Sequence, residues 1–538
     1  MWDAFRRRAS TIIEHAVGIA TLLSLSIVLL VALWYTGISM YPDSETLDYA
    51  YPVNPELWPR WVLGIVAALA FAGLLFVLWK VLDRVNPRVL LAVSVVLTSI
   101  IGIAWVSAQT TTVTLFADAR NLAAYATGFV TGNTEYFAVG ARNDLPMEDL
   151  LSYFRHYPYQ AGMFFYYMGM FKLFGAGNIM ALRYANVVAN EIVLVCLYAI
   201  GRRLFTTSRA RNALMVLAVL FIPFWLSSAF PYGNCIGFAF AATYVVCQIE
   251  ALVSKTPRNT ILWAVGSLVP LAIGMSVKST FVLLELAVIV AWIIRALRGK
   301  GTAGLAVSLA IFVAVNGITG AEVRVLERML GTSVGEGMPK TSWILLGLTE
   351  RQDSGQPGLW DLEAYEIYNM AEGDMDKQKQ IVSQRLANAA ANFAANPVYT
   401  VRFFAIKLAF EWAEPTYMSI YYSVLNSDAN HTYFGYSEDG MFLYETPRKA
   451  FICVYDGYQT VVYALGAVGV LFMLKRLRNN ALDARDVCMV LCLCFCAGFY
   501  CYLLWEAKGV YLLPFTVLLL PLSAYGLAGI ASGVKSQS

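Results

Sequence analysis

Charge is what this sequence has little of. Aspartate, glutamate, lysine and arginine make up 14% of its 538 residues, and 59% are hydrophobic, whereas ordinary soluble domains carry about 25% charged residues. No soluble core could absorb that much apolar side chain, so a water-soluble globular fold is excluded. The net charge of +3 is small. Lysines and arginines fall in short clusters rather than in a stripe that could track phosphates, which argues against a nucleic-acid partner. Internal repeats and low-complexity tracts are also lacking. The nine cysteines offer no metal cage. Five of them, Cys488, Cys492, Cys494, Cys496 and Cys501, fall in one apolar run at spacings that put neighbours on different faces of a helix. They read as small buried hydrophobes, and Cys453 has nothing nearby to pair with.

What is present is a series of apolar runs of roughly 20 residues, each able to span about 30 Å of hydrocarbon. Approximate spans are 16–38, 61–82, 88–108, 178–201, 211–229, 231–250, 260–277, 279–297, 301–320, 456–474, 485–505 and 508–531. The expected fold is therefore an all-α polytopic membrane protein of about twelve transmembrane helices, 11–13 allowing for ambiguous segments. The first run follows MWDAFRRRASTIIEHA, is too long for a signal-peptide core and lacks a convincing small-residue cleavage site, so a retained anchor is expected.

With both termini in the cytoplasm, the clusters Arg6/Arg7/Arg8, Lys80/Arg84/Arg88, Arg202/Arg203/Arg209/Arg211, Lys255/Arg258, Arg295/Arg298/Lys300 and Lys475/Arg476/Arg478/Arg485 all lie inside. That satisfies the positive-inside rule at every short loop. It requires 161–176 (AGMFFYYMGMFKLFGA), short and carrying Lys172, to be an interfacial or re-entrant helix rather than a span. By the same parity, 397–415, with Arg402, Lys407 and Glu411, reads as a helix lying on the outer membrane surface. The chain then divides into two N-terminal helices (1–87), a core (88–320) with an outer loop at 109–177, an extracytoplasmic segment (321–455) and C-terminal helices (456–538). The third of these is turn-rich at RQDSGQPG and NSDANHTYFGYSEDG and helical around 376–395, a small folded cap rather than a linker.

Most of the chemistry available lies in the outer segments. Asp118 in the first loop could accept a proton from an attacking hydroxyl, a role typically worth about 10²–10⁴ in rate; it could equally cap a helix starting at Ala119 or pair with Arg120. The cluster YFRHYPYQAG gathers Arg155, His156, Tyr157, Tyr159 and Gln160 around Pro158, which stiffens the entry to the following helix. It suits either a polar headgroup or an aromatic anchor at the interface. Lys278 and Lys508 break the charge rule, lying in outer turns between apolar spans. Cations at a membrane edge need a reason. An anionic lipid phosphate is one; snorkelling, or an ion pair of Lys508 with Glu506, is the other. Two such lysines plus Arg155 favour a composite anion site at membrane level.

In order, these features resemble a family. HYPYQAGMFFYYMGMFKLFGAGNIMALRYANVVANEIVLVCLYAIGRRLF (156–205), GMSVKSTFVLLEL around Lys278 and LLWEAKGVYLLPFTVLLLPLSAYGL (503–527) resemble motifs of the protein O-mannosyltransferase and aminoarabinose transferase superfamily, the GT-C fold. WILLGL (343–348) and KLAFEWAEP (407–415) are similar to stretches in bacterial members acting on cell-surface polymers. The likeness covers roughly 88–531. It implies inverting transfer of a sugar from a polyprenyl-phosphate donor to a cell-envelope polymer, glycolipid or protein acceptor, at the outer face of a bacterial plasma membrane. Asp118 becomes the base, Lys278 and Lys508 become phosphate ligands, and Arg155, His156, Tyr159, Gln160, Glu506 and Tyr511 join the substrate site. Three departures stand out. Ala119 follows Asp118 where some members have a second acid, so no cofactor is required and a divalent metal is allowed but not implied. YPYQ replaces a double proline, and Gly509 stands where a polar residue is expected before Tyr511. Two rival functions remain. A flippase or transporter of lipid-linked sugars would lean on Glu191 and Glu285 within spans, and a polysaccharide ligase would use the same donor chemistry.

Overall fold

A computed structural model describes residues 2–35, 57–108, 117–138, 149–352, 355–425, 445–479 and 484–535. Among these the chain is helical, without a β-strand. Eleven of the described helices are long and apolar enough to cross a membrane, and a bent pair, Ser208–Leu220 with Ile222–Ala229, makes a twelfth. The protein is thus the all-α polytopic bundle that the apolar runs require. Three helices outrun their expected spans: Trp2–Trp34 begins before residue 16, Thr302–Leu330 continues past residue 320, and Glu445–Arg478 begins before residue 456. Ala161–Phe174 is a 14-residue helix, too short to cross about 30 Å of hydrocarbon at 1.5 Å per residue.

The last span, Gly509–Ala531, is the hub. In its apolar window 89% of residues are buried, against 6% for Val62–Arg84 at the periphery. It is apolar around its whole circumference, as a helix surrounded by helices must be, and it tolerates Pro514 and Pro521 inside. Helices associate in lipid through close backbone approach rather than through hydrophobicity, which favours small residues at their contacts. Gly469 and Gly526 fit this role, since a Cβ on either would run into backbone of the facing helix. At Gly457 an added Cβ would lie 2.5 Å from the Ala67 side chain.

The bent span is where the bundle departs most from straight helices. Pro223 lacks an N–H and sits just after the 54° bend, so Val219 O has no helical partner and accepts from Trp225 Nε1 at 3.2 Å. The short helices that end at Leu226 and Ala229 leave the carbonyls of their last turns without helical partners as well. In hydrocarbon each must be met from inside the protein. The span Ile179–Leu204 supplies the donors from one face. Asn190 Nδ2 donates to Phe224 O at 3.1 Å, Asn186 Nδ2 to Phe230 O at 2.8 Å, and Arg183 Nε to Ala229 O at 3.1 Å. Their spacing of three and four residues stacks them on that face. The polar letters in RYANVVAN therefore hold the broken span in register and fix where Pro231 and Tyr232 emerge.

Two surface assignments are corrected. Lys407 and Glu411, expected on a helix lying on the membrane, are fully buried. Pro397–Leu408 runs inward and passes into a π turn, Ala409–Ala413, and of the three charges only Arg402 is exposed. Helical periodicity is the reason: Lys407 and Glu411 are four apart and share the face that packs inside, whereas Arg402 lies on another. The stretch NSDANHTYFGYSEDG (426–440) falls outside the described residues.

Replacing Asn186 by alanine removes donors to two carbonyls, Ser228 O and Phe230 O, and should destabilise the folded protein by about 1–3 kcal/mol. Thermal unfolding in detergent checks this; an unchanged midpoint would count against the bracing role of this face.

Candidate functional site

One end of the bundle opens into a cavity of about 1730 Å³. It is lined by the start of the helix Ala117–Thr131, by the Pro158 turn, by the two interspan turns carrying Lys278 and Lys508, and by segments from 316–343 and 351–379. Asp118, Tyr159, Gln160, Lys278, Glu506, Lys508 and Tyr511, seven of the nine residues singled out from sequence, face this one space.

Asp118 stands in the first turn of its helix, and its carboxylate faces across the cavity rather than back onto the helix end. Tyr153 donates to Oδ1 at 3.1 Å; Tyr232 and Gln160 Nε2 approach Oδ2 at 3.2 and 3.4 Å, with Gln160 Nε2 also 2.5 Å from the Tyr232 hydroxyl. The helix is anchored beyond Asp118 on the same side, one and two turns further along, where Leu122, Tyr125 and Ala126 are fully buried. Tyr153 is delivered by the short helix Leu150–His156, capped by Asp149 at 2.7 Å from Ser152 N. Pro158 opens the 3-10 turn that aims Gln160. Burial pushes the Asp118 pKa up, while the Tyr153 hydrogen bond and the charges of Lys278 and Lys508 hold the rise in check. The carboxyl group is thus a stronger base than a solvated aspartate.

Lys278 occupies the break between Pro257–Val277 and Ser279–Leu297. Gly233 and Gly237, one helical turn apart, let the neighbouring span come close: a Cβ on Gly237 would lie 3.1 Å from Lys278 Cβ, and one on Gly233 2.6 Å from Val277 O. The ammonium lies 4.5 Å from the Tyr232 ring centroid and 4.9 Å from that of Tyr511, an aromatic clamp that compensates part of its lost hydration. Burial pushes its pKa down to about 8, with Asp118 and Glu506 pulling upward and Lys508 adding to the fall. Lys508 pairs with Glu506 at 2.8 Å and lies 6.0 Å from the Tyr511 ring. Burial, with the neighbouring Asp118 charge, keeps the Tyr159 and Tyr232 hydroxyls protonated. Tyrosine therefore acts here as a donor and as a ring.

The loop carrying Glu506 and Lys508 is fastened from behind by the buried lysine. Lys407 Nζ donates to Gly347 O at 2.5 Å and Trp505 O at 2.6 Å, and Ala507 N donates to Gly358 O at 2.7 Å. Gly358 has φ +75°, and a Cβ there would lie 3.1 Å from Lys407 Cδ. Burial pushes Lys407 down and Glu411 up toward their neutral forms, each opposed by the other's charge.

Arg155 and His156 do not join the cavity. Arg155 is exposed, because two residues beyond Tyr153 on a helix is about 200° around its axis. The His156 ring packs 4.6 and 4.3 Å from those of Tyr365 and Tyr368, with Nδ1 2.8 Å from Ser152 O. It joins the first outer segment to the helix Glu363–Met370, and burial lowers its pKa. Tyr153 and Tyr232 are the residues that sequence reasoning missed. The position of Tyr232 in a Pro-Tyr-Gly turn between two spans at the end that carries Lys278 was the available signal. No group of His, Cys, Asp and Glu suited to a metal occurs among the described residues.

No family model and no curated protein matches this chain. Similar solved structures include the oligosaccharyltransferase of Archaeoglobus fulgidus in its apo form, at 12% identity, 83% coverage of this chain and TM-score 0.42. The same organism's AglB, in complex with an inhibitory peptide and a dolichol-phosphate, matches at 11% identity, 82% coverage and TM-score 0.39. ArnT from Cupriavidus metallidurans, bound to undecaprenyl phosphate, matches at 14% identity, 84% coverage and TM-score 0.31. The chain spans about half the length of the two archaeal proteins (51% and 50%) and 79% of ArnT.

Lys407→Met would leave the Gly347 and Trp505 carbonyls unsatisfied and should cost about 2–6 kcal/mol, taking about 1–3 for each buried acceptor. Thermal unfolding reads the loss; a midpoint within a degree or so of wild type would show that the loop is held by other contacts.

Proposed function

We propose that this protein is a membrane glycosyltransferase moving a sugar from a polyprenyl-phosphate donor to a hydroxyl of a cell-envelope acceptor. The observation that carries the reading is the meeting of Asp118, Lys278 and Lys508 in one cavity at the end of the bundle. A base and fixed cations in one membrane-edge chamber are what displacement of a lipid phosphate needs. The sequence resemblance supplies the donor class, and the charge pattern of the loops supplies the side, the outer face of a bacterial plasma membrane.

In the proposed step, the acceptor oxygen attacks the anomeric carbon from the face opposite the phosphate. Its proton passes to Asp118, oriented by Tyr153, Tyr232 and Gln160. The bond between carbon and phosphate oxygen breaks, and its electron pair leaves with the polyprenyl phosphate. Lys278 and Lys508 hold the charge that develops there. In-line attack gives inversion at the anomeric carbon. Tyr232 touches both groups, donating to Asp118 and presenting its ring to Lys278, so it couples base and phosphate grip.

A flippase cleaves no bond and needs no group placed to take a proton from an attacking hydroxyl. Of Glu191 and Glu285, which that rival would use, Glu191 is bound to Thr98 at 2.8 Å across two helices, a structural partnership, while Glu285 is fully buried with no hydrogen-bond partner for its carboxyl oxygens among the described residues. Lipid movement between leaflets by purified protein, without release of polyprenyl phosphate, would favour the rival.

Asp118→Asn should lower transfer about 10²–10⁴-fold while leaving expression and co-purified lipid near wild type. Mass spectrometry of polyprenyl phosphate released from a membrane lipid extract reads the rate, and undiminished release would remove Asp118 from the mechanism. The rate should also be bell-shaped in pH. Asp118 must be deprotonated, so activity climbs as pH passes its raised pKa. Lys278 must be protonated, so activity falls above about pH 8. In Lys278→Arg the alkaline limb should move well upward, since guanidinium stays charged; a limb that stays put would assign it to another group.

A further inference from the structure

A second cavity, of about 1010 Å³, lies at the opposite end of the bundle. The helix Ser279–Leu297 connects the two ends, with Lys278 before its first residue and Arg295 in its last turn, about 26 Å apart along the axis at 1.5 Å per residue. The cations lining this second cavity are Arg202, Arg203, Arg295, Arg298, Lys300 and Arg485, from three helix ends and a turn.

These cations are not simply solvated loop charges. Glu14, fully buried, accepts from Arg485 Nε at 2.9 and 3.0 Å and lies 3.4 Å from Arg298 Nε. Asp486 is shared by Arg295 and Arg298, and Glu250 accepts from Arg203 at 2.7 Å. Six cations thus face three carboxylates, an excess of three positive charges among the described residues. The Nε of Arg295 is buried without a hydrogen-bond partner among the described residues, that of Arg298 has the Glu14 ion pair alone, and Arg202 and Lys300 show no carboxylate partner among the described residues. The acids orient the guanidinium groups without neutralising them, which leaves a preorganised, electropositive chamber at the membrane edge.

We propose that this chamber binds a phosphate-bearing anion, the source available in a membrane being the phosphodiester headgroup of an anionic glycerolipid. Guanidinium forks match phosphate oxygens bidentately, and basic pockets between transmembrane helices suit anionic headgroups. The sugar-transfer reading plays no part in this site.

Native mass spectrometry of the full chain, loaded with phosphatidylglycerol or phosphatidylcholine or with inorganic phosphate, tests it. Phosphatidylglycerol should be retained in preference to phosphatidylcholine. Its affinity should fall about thirtyfold in Arg202→Ala/Lys300→Ala, which removes two cations and breaks none of these ion pairs. Lys255→Ala/Arg258→Ala removes the same charge from the same end outside the cavity and should change retention little. Inorganic phosphate competing with phosphatidylglycerol would support the site and identify free phosphate as an alternative source. Equal retention of the two lipids, or equal loss in the two double variants, would overturn it.

Discussion

A carboxylate and two ammonium groups occupy one chamber at the edge of a low-dielectric bundle, and each is tolerable there because the others are present. Burial alone would push Asp118 to its neutral form and strip the proton from Lys278. Their opposite charges resist both shifts, and the rings of Tyr232 and Tyr511 replace part of the lysine's water. The compromise leaves a base with raised proton affinity beside a cation with lowered affinity. Acid–base chemistry near neutral pH calls for such a pair.

Keeping those groups together is a backbone problem before it is a side-chain problem. All of them sit where helices stop or break: a first turn, a 3-10 turn, two interspan turns. Irregular backbone at membrane depth survives only where the protein meets its polar groups. Arg183, Asn186 and Asn190 do so for the broken span leading to Tyr232, and Lys407 does so for the loop leading to Lys508. These side chains do not line the chamber, yet its geometry runs through them.

The two ends of the bundle treat charge differently. At the chamber end, Asp118, Lys278, Glu506 and Lys508 are interleaved with Tyr159, Tyr232 and Tyr511. At the other end, arginines surround two shared carboxylates with cations to spare. A basic cluster that satisfies the orientation rule need not also be organised around a cavity. Here it is, because Glu14 and Asp486 turn charges from separate helices toward each other.

The sequence by itself determined the class, the number of crossings and the short list of groups able to do chemistry. Hydrocarbon thickness and the cost of buried charge act residue by residue along the chain, so a run of letters suffices to read them. Lys278 and Lys508 were legible for that reason, as exceptions to an otherwise regular charge pattern. Tertiary structure alone decided who faces whom. Tyr153 and Tyr232 became partners of Asp118, Arg155 turned away from its neighbour's site, and Lys407 and Glu411 went from an expected membrane surface into the interior. Those outcomes depend on helix rotation and on which carbonyls a bend leaves unmet. Both are set by contacts between segments far apart in sequence, and no local pattern encodes them.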